Sequence, residues 1–225
     1  SWSTTARSRY CSTRRKGFDM QVIIQTIVTN SMAENAHVVC VKDTREAFVA
    51  DPGGAADEII EACEAQGCRL TDILLAHGHF DHIQAVAELH RRTGAHIRIH
   101  PRDAAMLTDV QLSLGRPGIE QAQVEADCPL DVLESAHMNI CGLDVEVIYT
   151  PGHTAGSVSY YLPEQKVLIS GDTMFYEAFG RTDFPGGSAM QLRRSLRKLY
   201  TLPGETRVLP GHGPETTIEH EVSGR

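Results

Sequence analysis

Three imidazoles and one carboxylate fall within six positions at His77-Gly78-His79-Phe80-Asp81-His82, directly behind the apolar run Ile73-Leu74-Leu75-Ala76. Imidazole nitrogen and carboxylate oxygen are the ligands preferred by borderline divalent metals. In an extended segment, residues two apart face the same side, so His77 and His79 can grip one ion together. Asp81 and His82 then turn away and can serve a neighbouring ion. Two metals and a hydrolytic centre are the chemistry this spacing points to. Three more residues of the same donor types follow abrupt turns: His153 in Pro151-Gly152-His153-Thr154, Asp172 in Ser170-Gly171-Asp172, and His212 in Pro210-Gly211-His212-Gly213. Each alone reads as a turn, cap or surface residue. Four strand-end sites carrying only hard or borderline donors read as a dinuclear site.

The elements that must position these residues alternate between strand and helix. Strands are predicted at Gln21–Val28, His37–Val41, Ala47–Ala50, Asp72–Ala76, Ala95–Ile99, Leu143–Tyr149, Val158–Leu162, Val167–Ser170 and Arg207–Leu209. Helices are predicted at Ala55–Gln66, Gln84–Arg92 and Ala189–Tyr200, with a further helix opened by Pro101. Gly67 and Gly94 stand as stops behind the first two. Residues 108–138, with Pro117-Gly118 and Cys128-Pro129, read as a surface excursion with some helix. Strands thus bring His77, His153, Asp172 and His212 to one rim of a sheet scaffold, where loops can be shaped for function.

Composition bounds the rest. The 225 residues suffice for a sizeable core, and no apolar run reaches the length of a membrane-spanning helix. Residues 1–19 carry five basic side chains against Asp19, leaving 16 basic and 28 acidic residues in 20–225, a net of −12. A body that acidic repels phosphate backbones, so nucleic acid is excluded as a partner, as is a membrane. The Ser/Thr/Arg-rich stretch 1–19 reads as a non-native or disordered leader, with a mitochondrial transit segment as the alternative; residues 20–225 read as a single domain. The six cysteines form no CxxC pair and read as free thiols, which suits a reducing, cytoplasmic setting. No GxSxG, P-loop or GxGxxG occurs, and Ser195-x-x-Lys198 lacks any companion motif. His37, His90, His96, His100, His137 and His220 have no comparable context and read as structural or solvent-facing.

In the order and spacing of His77–His82, Pro151–Thr154, Ser170–Asp172 and Pro210–Gly213, the chain resembles the metallo-β-lactamase superfamily, in its glyoxalase II-like branch. The resemblance spans nearly all of residues 20–215. It implies an α/β fold, an αββα sandwich of two central mixed β-sheets flanked by helices, with metals at one edge. It also implies that His77, His79 and His153 hold one metal, that Asp81, His82 and His212 hold the second, and that Asp172 bridges them. Asp51, in the Asp-Pro-Gly turn, is implied to support a ligand from outside the coordination sphere. Zinc is the metal expected first, with iron and manganese also fitting N/O sites. Only 13 residues follow His212, so the helical domain that helps full glyoxalase II enzymes bind glutathione is expected to be absent, as in the short bacterial glyoxalase II-like proteins.

That resemblance implies hydrolysis of a glutathione thioester, of the S-lactoylglutathione type, by a metal-bridging hydroxide. Asp81 and Asp172 are the expected catalytic carboxylates. Arg181 is a candidate clamp for a substrate carboxylate, weighed equally against an ion pair with Asp183 or another acid. Two alternatives stand beside this. Gly180-Arg181-Thr182-Asp183-Phe184 also resembles a segment of mononuclear iron persulfide dioxygenases, although Gly211-His212-Gly213 favours the hydrolase. The other is a metal-binding module without catalysis, against which stand the seven filled ligand positions.

Overall fold

In a computed structural model the described residues are 20–115 and 124–224. The predicted leader 1–19, with Cys11, and the Pro117-Gly118 turn lie outside them. Strands β1 (Val22–Thr29), β2 (Glu34–Val41), β3 (Glu46–Ala50), β4 (Arg69–Leu74) and β5 (His96–Arg98) form one sheet in that order. The pairs β1–β2 and β2–β3 are antiparallel; β3–β4 and β4–β5 are parallel. The second sheet runs β11-β10-β9-β8-β7-β6, from β6 (Ser135–Ile140), β7 (Leu143–Tyr149), β8 (Val158–Leu162), β9 (Val167–Gly171), β10 (Arg207–Pro210) and β11 (Thr216–Thr217). It is antiparallel except where β9 pairs with β10.

Side-chain alternation builds four layers from these two sheets. In β2 and β3, Val39, Val41, Phe48 and Ala50 point inward, against Val145, Val147, Val158 and Ile169 of the second sheet. Their neighbours Val38, Cys40, Ala47 and Val49 point outward, under Ile59 and Cys63 of helix α1 (Ala56–Ala65) and Val86 and Leu89 of α3 (Val86–Thr93). On the far side, Ile148, Leu168 and Val208 pack against Leu192, Leu196 and Leu199 of α4 (Ala189–Leu199) and Ile218 of α5 (Ile218–Ser223). Strands buried on both faces read as unbroken apolar runs, which is why β2, β3 and β9 are evident without alternation in polarity. The result is the expected αββα sandwich. No helix among the described residues is long and apolar enough to cross a membrane.

Some elements differ from expectation. The helix predicted at Gln84–Arg92 is preceded by a separate turn of helix, α2 (Phe80–Ile83), and α3 begins only at Val86. Pro101 opens no α-helix: residues 101–103 turn, and a single 3-10 turn follows at Ala104–Leu107. Ser135–Ile140, read as part of the excursion, is an edge strand whose side chains stay largely exposed, so burial left little hydrophobic pattern to read.

The two sheets are joined just where the metal-donor stretch begins. Val158 donates its N–H to Ala76 O at 2.9 Å, and the buried Tyr160 hydroxyl donates to Leu75 O at 2.7 Å. Removing that hydroxyl leaves a buried carbonyl with one bond fewer. Tyr160→Phe is therefore expected to cost about 1–2 kcal/mol, seen as a lower denaturation midpoint in urea with an unchanged slope.

His37 of β2 is also buried. Its Nε2 lies 3.0 Å from Pro210 O and its Nδ1 3.0 Å from the Thr26 hydroxyl, an arrangement for the neutral ring. Burial pulls its pKa down to about 4, against about 6.5 unfolded. The folded value is the depressed one, so its stabilisation is complete above pH ~6.5 and lost as pH falls toward 4. Below pH ~6.5 this residue should steepen the loss of stability by about 1.4 kcal/mol per pH unit. Urea midpoints measured across that range should lose this component of the slope in a His37→Gln chain.

Candidate metal centre

The metal-donor residues sit at the C-terminal ends of four strands. After β4 the chain bends at Ala76, is extended at His79, with φ −67° and ψ 149°, and then coils into α2. That single helical turn carries Asp81 and His82 into a second donor group with His212, although the His82 ring stays 4.2 Å from that of His77 between centroids. His153 follows β7, Asp172 follows β9 and His212 follows β10. Two glycines make the close approach possible. A Cβ on Gly211 would lie 2.4 Å from Asp172 Oδ1 and 2.7 Å from His82 Cε1. Gly152, at φ +142°, passes so near α4 that a Cβ would lie 2.3 Å from Leu192 N.

Two groups of donors result. One nitrogen each from His77, His79 and His153 lie within 4.8 Å of one another, and so do donor atoms of Asp81, His82 and His212. In the first group His79 Nδ1 and His153 Nε2 are 2.9 Å apart. In the second, His212 Nε2 is 3.3 Å from Asp81 Oδ2. Asp172 faces both groups: Oδ2 is 3.5 Å from His153 Nε2, and Oδ1 is 3.4 Å from His82 Nε2. Both ring nitrogens of His77, His82 Nε2 and Asp172 Oδ1 are buried without a hydrogen-bond partner. Each such atom costs about 1–3 kcal/mol when left so. A donor set of imidazoles and carboxylates with its lone pairs turned inward fits divalent cations.

Electrostatics sorts the same residues by charge. Burial, with the neighbouring rings, holds His77 well below the ordinary imidazole value and His79 at about 3. Burial also lowers His153, against the pull of Asp172. All three are neutral at physiological pH, the form that binds metal. His82 goes the other way: burial lowers it, but Asp172, Asp51 and Asp81 together outweigh that and raise it well above. Burial works to raise Asp81, yet the His212 hydrogen bond and the charge of His82 bring it below the usual carboxylate range.

Asp51 sits between the Ala76 backbone and His82. Its Oδ1 accepts from Ala76 N–H at 2.7 Å, and its Oδ2 is 3.2 Å from His82 Nδ1. The residue itself is at φ +51°, a left-handed conformation that Asp tolerates better than most. Its donor atoms also group with His77 and His82 within 4.8 Å.

Arg181 requires a correction. It lines the cavity, but its fork is taken by Asp183, with Nε donating to Oδ1 at 2.7 Å and Nη2 to Oδ2 at 2.6 Å. Its Cζ also sits 4.0 Å over the Phe184 ring. The ion pair, not the clamp, is what the side chain forms. Its backbone serves the site instead: His153 Nδ1–H donates to Arg181 O at 2.8 Å, which leaves Nε2 as the inward lone pair.

Several positioning residues gave no sequence signal. Asn35 donates from its backbone to Gly211 O and from Nδ2 to Pro210 O and Gly213 O, at 2.8, 3.0 and 2.9 Å, so β2 clamps the turn that carries His212. Asn30 Nδ2 donates to Asp81 O at 2.8 Å. Buried Asp103 accepts from the Thr154 hydroxyl at 2.5 Å and from Gly156 N–H at 2.7 Å, bracing the His153 turn. Buried Glu34 takes the Thr29 hydroxyl at 2.5 Å and places Oε1 3.8 Å from His82 Nδ1. Ser195 Oγ donates to Pro151 O at 2.7 Å, a structural bond. His96, Asp127 and Cys128 form a further donor group, but at the surface and outside the cavity lining. The two metal-donor groups themselves open into a cavity of about 750 Å³, reached by His79, Asp81, His153, Asp172 and His212.

Known proteins resemble the chain in sequence and in fold. The family described as the metallo-beta-lactamase superfamily matches residues 32–212. The probable metallo-hydrolase YqgX of Bacillus subtilis is 37% identical over 186 residues, 82% of this chain and 87% of that one. The hydroxyacylglutathione hydrolase GloC of Haemophilus influenzae is 30% identical over 200 residues, 88% of this chain and 94% of that one. Among solved structures, the BLEG-1 B3 metallo-beta-lactamase superposes with a TM-score of 0.82 at 36% identity, covering 89% of this chain and 97% of that one. The di-iron-bound form of TTHA1623 superposes with a TM-score of 0.76 at 33% identity, covering 88% and 96%. By sequence and by fold, the chain belongs to the metallo-beta-lactamase superfamily.

Proposed function

We propose that the protein is a dinuclear metallohydrolase of thioesters, with glutathione conjugates as substrates. The observation that carries the reading is Asp172, whose two oxygens face two separate three-donor groups. On this reading His77, His79 and His153 would hold one ion, Asp81, His82 and His212 the other, and Asp172 would be shared. Bound there, divalent ions supply Lewis acidity and a water acidified to a pKa of about 7.

The chain's own residues do the rest. The Arg181 carbonyl fixes His153 in one tautomer, and Asp51 holds His82 from behind. Asp81, kept ionised below the usual carboxylate range, is an acceptor at Oδ2 that can orient an attacking water in the cavity. A thiolate leaves readily, its conjugate acid having a pKa of about 8.5, so no strong general acid is required in the wall. The likeness to the hydroxyacylglutathione hydrolase supports the thioester as the bond cleaved. The likeness to a B3 metallo-beta-lactamase favours a second reading, hydrolysis of a β-lactam amide.

Metal analysis of protein purified without added metal, with a panel of S-lactoylglutathione, β-lactams and glutathione persulfide, tests the reading. Two equivalents of Zn, Fe or Mn per chain are expected, with thioester loss matched by free thiol. Chelation should abolish turnover and readdition restore it. Asp172→Ala should lower kcat by about 10²-fold or more and reduce bound metal. Two bound metals without thioester cleavage would reject the proposal; so would a single iron with oxygen uptake on the persulfide.

A further inference from the structure

The walls above the donor groups differ in chemistry from the floor. They are built mostly by Met32, Phe80, Leu114, Phe175, Phe179 and Phe184, with the exposed Ser31 the one hydroxyl side chain among the described lining residues. Phe184 meets the edge of His79 at 5.7 Å between centroids, and Phe175 meets His212 at 6.1 Å, so an aromatic ring flanks each donor group. At the mouth, Met32 and Phe179 are left 54% and 55% exposed, apolar surface that a ligand would remove from water. Among the described lining residues Arg181 is the one Lys or Arg, and Asp183 already holds its fork; the histidines there belong to the donor groups. The walls therefore offer apolar contact and no free partner for a carboxylate.

From this we infer the substrate class: thioesters whose acyl arm is apolar and extended, in preference to short, hydroxylated acyl groups such as lactoyl. The inference rests on the thioester reading above and adds which arm the walls select. Glutathione carries carboxylates and an ammonium, and burying a charge without a partner is costly. A charged carrier thus lies along the open, solvated rim, and the acyl chain lies against the aromatic walls. A hydroxyl on that chain would be desolvated against Phe and Met, with a compensating side-chain bond offered only where it reaches Ser31.

The test uses metal-loaded protein and glutathione thioesters of lactoyl, propionyl, butyryl and hexanoyl groups. The value of kcat/KM should rise about three- to fourfold per added methylene, and the lactoyl ester should fall below its deoxy counterpart, propionyl. Phe179→Ala, at a half-exposed position that leaves the core untouched, should flatten the series, with about tenfold lost on hexanoyl and little on propionyl. Met32→Ser, at the other exposed wall position, should flatten it in the same sense. A flat or falling series with lactoyl cleaved best would overturn the selectivity and leave the thioesterase reading standing. Absence of cleavage of every thioester by metal-loaded protein would remove both.

Discussion

The centre of this molecule depends on bringing seven polar side chains out of water into one buried space. Neither sheet does that alone. His77, His79, Asp81 and His82 come from the first sheet, and His153, Asp172 and His212 from the second. The desolvation of these groups is offset only if their spacing is right, so the loops that carry them are tied down before any ligand is considered. Asn35 clamps the His212 turn from β2, Asp103 braces the His153 turn, and Tyr160 and Val158 grip the peptides ahead of His77. Each of these bonds crosses between segments far apart in the chain. The sandwich therefore acts less as a container than as a jig: inter-sheet packing sets the distances, and side chain-to-backbone bonds set the angles.

Within that jig, charge is arranged as carefully as geometry. Three imidazoles in the deepest group are kept neutral by burial and by one another. His82, on the other side of Asp172, is surrounded by carboxylates and is held in the opposite state. Two neighbouring sites thus differ in charge: one of neutral nitrogens, the other pairing the carboxylate of Asp81 with the imidazole of His82 that the carboxylates around it favour as a cation. The shared carboxylate of Asp172 lies at the boundary between them. That asymmetry comes from which strand end contributes which donor type.

How much of this was legible in the sequence follows from the range of each interaction. The donor cluster at 77–82 and the turns before His153, Asp172 and His212 are local patterns, and they mark the site directly. Strands buried on both faces announce themselves by apolar runs. Asn35, Asp103 and Asn30 do not, because an Asn or Asp in a turn or strand end looks the same whether or not its partner 51 or 175 positions away is in place. Arg181 was ambiguous for a related reason. Its partner Asp183 is two residues away and visible in the sequence, but the choice between clamp and ion pair depends on the fold of the loop. The misread helix after Pro101 reflects Asp103: its carboxylate is committed to Thr154 and Gly156, and the chain there tightens into a 3-10 turn.

The division of labour between strand ends and loops has a further consequence. The donor groups are fixed by strands, by glycines whose Cβ positions are already occupied, and by bonds between distant segments. Changing any of them disturbs the jig. Apart from Phe80, which lies inside the donor stretch, the cavity walls come from elsewhere: Met32 from the turn between β1 and β2, Leu114 from the excursion after β5, Phe175, Phe179 and Phe184 from the segment after β9. Met32 and Phe179 are more than half exposed and lie outside the core clusters of the described residues. Selection can therefore replace such wall residues at little cost to folding, whereas the floor is constrained by both packing and electrostatics. On that argument, relatives sharing the donor set can differ in the bond they cleave, and the identity of the wall residues carries more information about substrate than the identity of the ligands.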